Sequence, residues 1–344
     1  MDTARFHDDL VRIPGALSAL ADAVEAGLPG LDALPAARSI LILAMGSSAY
    51  GAETVAREAR TGGLHVTVEL ASTTLLPPPS PELLVIAVSA TGASVEVLAA
   101  AARYAGVGRL VAITNDAGSP ITELADIVVE LAAGVEESGV ACRTFRHTFI
   151  VLAEVLTTLG ARFSWSPVAI ARSAALANES LLSSSSAWLA PVAHALLGPN
   201  GTFVLAPADR LSSSQQSSLM LREVPRRPAF GSETGDWAHV DVYLTKTLDY
   251  RALLYAGSDW DDQALRWMSE RASTVVSVGR DLDEAVYSVR YSGDDDRMTA
   301  SLSELLVAEL VAWAWYSADP EHSWSTQRPR PPRPADSRTP AIEG

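Results

Sequence analysis

The sequence predicts an α/β protein of two tandem, doubly wound α-β-α sandwiches. Three observations carry this expectation. From residue 39 onward short β-branched runs alternate with stretches of helical composition, and the same texture returns after residue 200. The length of 344 residues suits two such units, since domains usually span about 100–200 residues.

Residues 1–36 read as an N-terminal helical arm, because Leu10, Ile13, Leu17, Leu20, Val24 and Leu28 recur at helical spacing around Pro14 and Gly15. The first sandwich is expected over residues 37–160. Its apolar runs at 40–43, 83–88, 110–114 and 127–131 are continuous, as in a parallel sheet covered on both faces. Helical segments at 51–60, 94–104 and 120–125 separate the runs, and the last opens on Ser119-Pro120, a cap followed by a first-turn proline. Residues 144–196 hold no strand pattern and read as one or two helices whose apolar periodicity is interrupted at 183–186, with 161–195 as a helical connector. The second sandwich, residues 196–317, has strand-like runs at 203–206, 240–244, 253–256, 275–278 and 286–291 and helices at 212–223 and 300–315. The tail, 318–344, is Pro- and Arg-rich from Arg328 to Pro334, a composition that cannot build a core, and is expected to be mobile.

Composition narrows the function. Hydrophobic residues at 48% and charged residues at 19% give ample material for a packed interior. A formal net charge of -15 repels a nucleic-acid backbone, so nucleic acid is not an expected partner. An acidic protein that takes an anion must use local hydroxyls, backbone N–H groups and helix N-termini. The single cysteine, Cys142, permits neither an intrachain disulfide nor a multi-cysteine metal site. The six histidines lack zinc-ligand spacing, and Asp294-Asp295-Asp296 lacks the spaced ligands of a calcium loop, so neither metal nor cofactor is expected. No basic stretch leads into an apolar core near Met1, and no apolar run is long enough to span a bilayer, which predicts a cytoplasmic protein without a membrane partner.

Two turns can meet an anion. Residues 41–48, Leu-Ile-Leu-Ala-Met-Gly-Ser-Ser, place Gly46, Ser47 and Ser48 after a buried strand and before a helix. Residues 85–94 do the same with Ser89, Thr91, Gly92 and Ser94. In an open α/β sheet ligands collect at the carboxyl ends of strands, where helix N-termini face an anion. Either turn taken singly is explained equally well by ordinary helix capping.

The run Ser89-Ala90-Thr91-Gly92-Ala93-Ser94 resembles the Ser-x-Ser-Gly-x-Thr/Ser signature of the sugar isomerase (SIS) domain, and Gly46-Ser47-Ser48 matches that domain's first loop. The likeness continues through residues 112–116, Ser119-Pro120, Ala125-Asp126 and residues 139–144, and so covers about residues 38–150. Thr91 stands for the usual second serine and Ala93 where many members have glutamate. The resemblance implies flavodoxin-like halves, a phosphate held by Gly46, Ser47, Ser48, Ser89, Thr91, Gly92 and Ser94, and a further sugar pocket at Ala141, Cys142 and Arg143.

Within that family, the chain also resembles the isomerase half of glutamine–fructose-6-phosphate aminotransferases. The second SIS domain of those enzymes carries a glutamate that moves a proton between C1 and C2. Residues 217–223 resemble that helix, and His239 follows Glu223 at the sixteen-residue spacing the family implies. By resemblance Glu223 is the proton carrier and His239 the ring-opening acid/base, entering from a neighbouring subunit of a homodimer. Without the spacing, Glu223 would read as a solvated helix end and His239 as a half-buried structural histidine.

Three departures separate the chain from the aminotransferases. There is no N-terminal cysteine nucleophile and no room for a glutaminase domain; Lys246, the only lysine, lies far from the tail; and Val240-Asp241 follows His239 where the family has Gly-Pro. The expected function is a phosphosugar isomerase or deaminase acting on a hexose 6-phosphate or amino-sugar phosphate. A non-catalytic sugar-phosphate sensor and a deglycase on a phosphorylated sugar adduct stand as alternatives.

Overall fold

The computed structural model describes residues 2–319. Helices α1 (Thr3–Val11) and α2 (Ile13–Ala26) open the chain, with Asp2 capping α1 and Pro14 in the first turn of α2, where its missing N–H costs nothing. The first sheet is built from β1 (Ser39–Ala44), β2 (His65–Leu70), β3 (Leu83–Val88), β4 (Arg109–Thr114) and β5 (Ile127–Glu130). Between its strands run α3 (Gly46–Thr61), α4 (Val95–Ala102) and α5 (Pro120–Leu124). Two long helices, α6 (Arg143–Thr158) and α7 (Pro167–Leu196), lead to the second sheet.

That sheet comprises β6 (Thr202–Ala206), β7 (Ala229–Glu233), β8 (Arg251–Tyr255), β9 (Thr274–Val278) and β10 (Tyr287–Val289). Its helices are α8 (Leu211–Glu223), the single turn α9 (Thr234–Trp237), α10 (Asp261–Glu270), α11 (Arg297–Ser303) and α12 (Leu305–Ala318). Every pairing is parallel, and both sheets are wound alike, β2-β1-β3-β4-β5 and β7-β6-β8-β9-β10. The direction of winding reverses between β1 and β3, and again between β6 and β8, which opens a crevice at the carboxyl edge of each sheet. The α/β expectation and the tandem repeat are both present.

Alternation of side chains along each strand feeds two cores at once. Ile40, Ile42, Ile86 and Ile113 of the first sheet, with Val204, Leu253 and Val276 of the second, face one shared core. Helices α1, α2, α6, α7 and α12 contribute to that core, so the N-terminal arm is part of the interior and not an appendage. The opposite faces pack separately, Leu41, Val85 and Leu110 against Val97 and Tyr104, and Leu205, Ala252 and Leu254 against Trp237 and Met268. The stretch Arg297–Ala318 is long and apolar enough by composition to cross a membrane, yet 89% of its most apolar window is buried inside the protein, the signature of a core helix.

A buried polar knot pins the shared layer. Arg146 on α6 pairs with Glu309 on α12 at 2.8 Å and donates through Nε to the Leu302 carbonyl, while Asn178 on α7 donates to the same carbonyl. Arg146 and Glu309 are both fully buried.

Several expectations need correction. Strands β2 and β7 had no counterpart in the sequence reading, because each is an edge strand whose side chains are largely exposed or small. The run expected as a strand at 240–244 is instead a 3-10 helix, Asp241–Lys246. The serines at 183–186 interrupt the apolar periodicity but sit within the continuous helix α7, where Ser183, Ser184 and Ser185 donate back to carbonyls one turn earlier. The Pro/Arg-rich segment of the tail lies outside the described residues.

Candidate active site

The two hydroxyl-bearing turns meet at one place. They leave the carboxyl ends of β1 and β3, which are adjacent and parallel, and so flank the crevice of the first sheet. Helices α3 and α4 begin there, and neither N-terminus is closed by a side-chain cap. Their first-turn N–H groups therefore point into the crevice without intrahelical partners. Ser48 and Ser89 are buried and Ser47 is half-buried, and among the described residues none of the three hydroxyls has a hydrogen-bond partner. Thr91 accepts from the Ala93 N–H at 3.3 Å and keeps its own proton for donation. Ser94 is committed elsewhere, donating to Glu96 at 3.0 Å.

Gly92 is required by geometry. Its φ is +60°, and a Cβ there would lie 1.8 Å from Ser119 Oγ and 2.5 Å from Ser119 Cβ. Ser119 is held in turn by donating to the Asp116 carbonyl at 2.5 Å, and Asn115 ties this strand end to the next loop by bonding Gly134 O and Ala133 N–H. These matched positions thus build the turn behind the crevice.

The loop after β5 closes one side. Glu136 caps α6, accepting from the N–H groups of Cys142 at 2.7 Å and Arg143 at 2.6 Å, and from the Thr144 hydroxyl. Asp9, fully buried on α1, accepts from Glu137 and Ser138 N–H and pairs with Arg143 at 3.2 Å. Of the three residues expected to line a sugar pocket here, Cys142 is fully buried and Arg143 is spent on Asp9 and the Ala133 carbonyl. Ala141 is half-buried, and its carbonyl accepts from Gln216 Nε2 at 3.2 Å.

That last bond belongs to a seam between the halves. Arg57 donates to the Ala208 carbonyl, Thr54 to Ser212 Oγ at 3.0 Å, and Tyr50 shares a cleft with Gln215 and Ser218. Falling numbers on α3 meet rising numbers on α8, so the helices are antiparallel. From Thr54 to Gly46 is about 12 Å of helix and from Ser212 to Glu223 about 16 Å. The register carries Glu223 past the amino end of α3, toward Gly46, Ser47 and Ser48. Glu223 is exposed, yet neighbouring protein strips water from its carboxyl and raises its pKa, and the Glu136 carboxylate adds to the effect.

His239 lies on a different element from Glu223. Helix α8 runs from the carboxyl edge of its sheet to the amino edge, whereas His239 follows β7 and α9 at the carboxyl edge. His239 is exposed, and Lys246, nearby in sequence, stacks on Tyr243. Among the described residues no group of three His, Cys, Asp or Glu side chains converges to hold a metal.

Fold and crevice define a tandem doubly wound α/β protein with a ligand cleft at a strand switch point. Residues 33–158 match the family model of the SIS domain. Solved structures of the same fold extend over both halves. The C-terminal domain of glucosamine-fructose-6-phosphate aminotransferase from Francisella tularensis is 15% identical, with a TM-score of 0.75, over 91% of this chain and 97% of that one. Tagatose-6-phosphate ketose/aldose isomerase from Escherichia coli is 15% identical, TM-score 0.72, over 92% and 94%. Glucosamine-6-phosphate deaminase from Thermotoga maritima is 16% identical, TM-score 0.65, over 91% and 94%. No curated protein sequence matches the chain.

Proposed function

We propose that the protein binds a phosphorylated sugar at the crevice of the first sheet and interconverts it by proton transfer between C1 and C2, with Glu223 as the base. What supports this reading is the α3–α8 register, which runs Glu223 toward the end of the molecule that holds two uncapped helix N-termini and the free hydroxyls of Ser47, Ser48 and Ser89. The phosphate would take the hydroxyls and first-turn N–H groups of α3 and α4, leaving the sugar chain to extend toward Glu223. A carboxyl with a raised pKa is a better base for a weakly acidic C–H than an ordinary glutamate. The phosphosugar chemistry named for the structural neighbours in E. coli and T. maritima is of this type. In the same reading His239 of a second copy serves ring opening, and the working unit is a homodimer.

Full-length protein incubated with glucosamine 6-phosphate, or with fructose 6-phosphate and ammonium, tests the reading by NMR. Turnover that disappears in Glu223→Gln while sugar-phosphate binding persists is the expected result. Binding without turnover in the unaltered protein would move the function to a sensor, a reading favoured by Lys246 lying away from Glu223. Absence of both would remove the proposal.

A further inference from the structure

The second sheet repeats the winding of the first and has its own crevice, at the carboxyl ends of β6, β8 and β9, to which the proposed reaction assigns nothing. A cavity of about 290 Å³ occupies it, close to the lower end of the usual ligand-pocket range of roughly 300–1,000 Å³. Four arginines line this one cavity: Arg210, Arg280, Arg290 and Arg297. In a chain with 26 Lys and Arg against 41 Asp and Glu, such a gathering calls for a reason.

The four are not equivalent. Arg290 is consumed by Asp294 and Asp281, and Arg297 by Glu58 at 2.6 Å and Asp209 at 3.4 Å. Arg210 is 5% exposed; it donates through Nη2 to the Ala256 carbonyl, while its Nε stands 3.5 Å from Glu304 with no hydrogen-bond partner. Arg280 is exposed at the end of β9 and makes no ion pair or hydrogen bond through its guanidinium. Gly257 lets Arg210 lie against the β8 loop, where a Cβ would come within 3.2 Å of Nη2. Three aspartates, Asp209, Asp294 and Asp295, share the cavity, and among the described residues Arg280 is the one of its four arginines with no acidic group at ion-pair distance.

The loop N–H groups are already engaged, since Asp261 accepts from Gly257 at 2.6 Å and from Ser258 at 3.1 Å. An anion here must be met by guanidinium groups, in contrast with the hydroxyls and helix ends of the first crevice. We infer that this crevice is a second anion site, which takes a phosphate group through Arg280 and Arg210. Guanidinium pairs with phosphate through forked, charge-assisted hydrogen bonds, which compensates for the aspartates on the rim.

Calorimetric titration of the full-length protein with inorganic phosphate, and separately with glucose 6-phosphate, tests the inference. A Ser47→Ala/Ser89→Ala variant removes two of the free hydroxyls of the first crevice and weakens it relative to the second. In that background inorganic phosphate should still bind one per chain, about tenfold or more weaker in Arg280→Gln, lost in Arg280→Glu and largely retained in Arg280→Lys. Because Arg280 makes no ion pair or hydrogen bond through its guanidinium and acts on Asp261 only at longer range, these variants should stay close to the parent melting temperature. If glucose 6-phosphate occupies this site as tightly as inorganic phosphate, the natural occupant is a phosphate ester; if only inorganic phosphate does, it is the free ion. Loss of all phosphate binding in the serine variant, or an affinity indifferent to Arg280, would overturn the inference and leave the cluster as an internal ion-pair network. Neither result bears on Glu223 or the first crevice.

Discussion

Replacing Gly92 by alanine tests the first crevice at the point where its geometry is tightest. Two costs are legible. The positive φ of +60° penalises any Cβ-bearing residue by about 1–2 kcal/mol. The new methyl would stand 1.8 Å from Ser119 Oγ and 2.5 Å from its Cβ, and relieving such an overlap in a packed turn costs about 1–3 kcal/mol. The single substitution should therefore destabilise by roughly 2–5 kcal/mol. Ser119→Gly removes both overlapping atoms and should cost only a few tenths of a kcal/mol as a glycine N-cap. In the double variant the overlap is relieved and the φ cost remains, so urea denaturation should report a favourable coupling of about 1–3 kcal/mol. Sugar-phosphate binding should fall in the single variant and recover in part in the double. Gly92→Ala within about 0.5 kcal/mol of the parent protein, or additive behaviour of the pair, would refute the reasoning.

Further outcomes follow from other parts of the fold. Glu309→Ala strands the buried Arg146 charge and should cost about 3–5 kcal/mol by urea denaturation, whereas Arg146→Met/Glu309→Leu should recover most of that loss. Burial pushes the His147 pKa from 6.5 down to about 4. The unfolded chain thus takes up a proton near 6.5 that the native state refuses until about 4, so stability is whole above 6.5 and lost as pH falls through that window, by about 3 kcal/mol in all. His147→Asn can keep the donor that Nδ1 offers to the Leu131 carbonyl, and should flatten this acid slope in melting curves between pH 4 and 6.5. If His239 serves the neighbouring subunit, equal amounts of Glu223→Gln and His239→Asn, refolded together, should regain about a quarter of full activity, because half of the random dimers then carry one intact site of two. Continued inactivity of the mixture, with dimers formed, would place both residues in one subunit's site or neither.

Most of the fold was legible because its central strands are buried on both faces and write continuous apolar runs, as in residues 40–43 and 83–88. The edge strands β2 and β7 leave no such trace: β7, Ala-Phe-Gly-Ser-Glu, owes its conformation to pairing with β6 and not to its own composition. The hydroxyl turns were readable from the order strand, small residues, helix. Their division of labour was not, since nothing in the sequence says that Ser94 would be taken by Glu96 while Ser47, Ser48 and Ser89 stay free. The supporting carboxylates were equally hidden. Glu136 sits six residues before the N–H it caps, a local pattern that might be sought in other chains, but Asp9 reaches its partners across 128 and 129 residues, and only the folded helical layer brings them together. The placement of Glu223 near the first crevice likewise depends on the register of two helices far apart in sequence.

The seam along α3 has a mechanical consequence. At its amino end the helix opens onto the hydroxyl turns; midway Thr54 holds Ser212; near its carboxyl end Arg57 holds Ala208 and Glu58 is clasped by both guanidinium arms of Arg297. One rod therefore rivets the halves together along its whole length and fixes the phosphate turns and the proposed base to a common ruler. Assembly of the pocket then requires no hinge to swing and no lid to fall, little ordering remains to be done when a ligand arrives, and its entry and escape should follow the single-step kinetics of a rigid, preformed cleft.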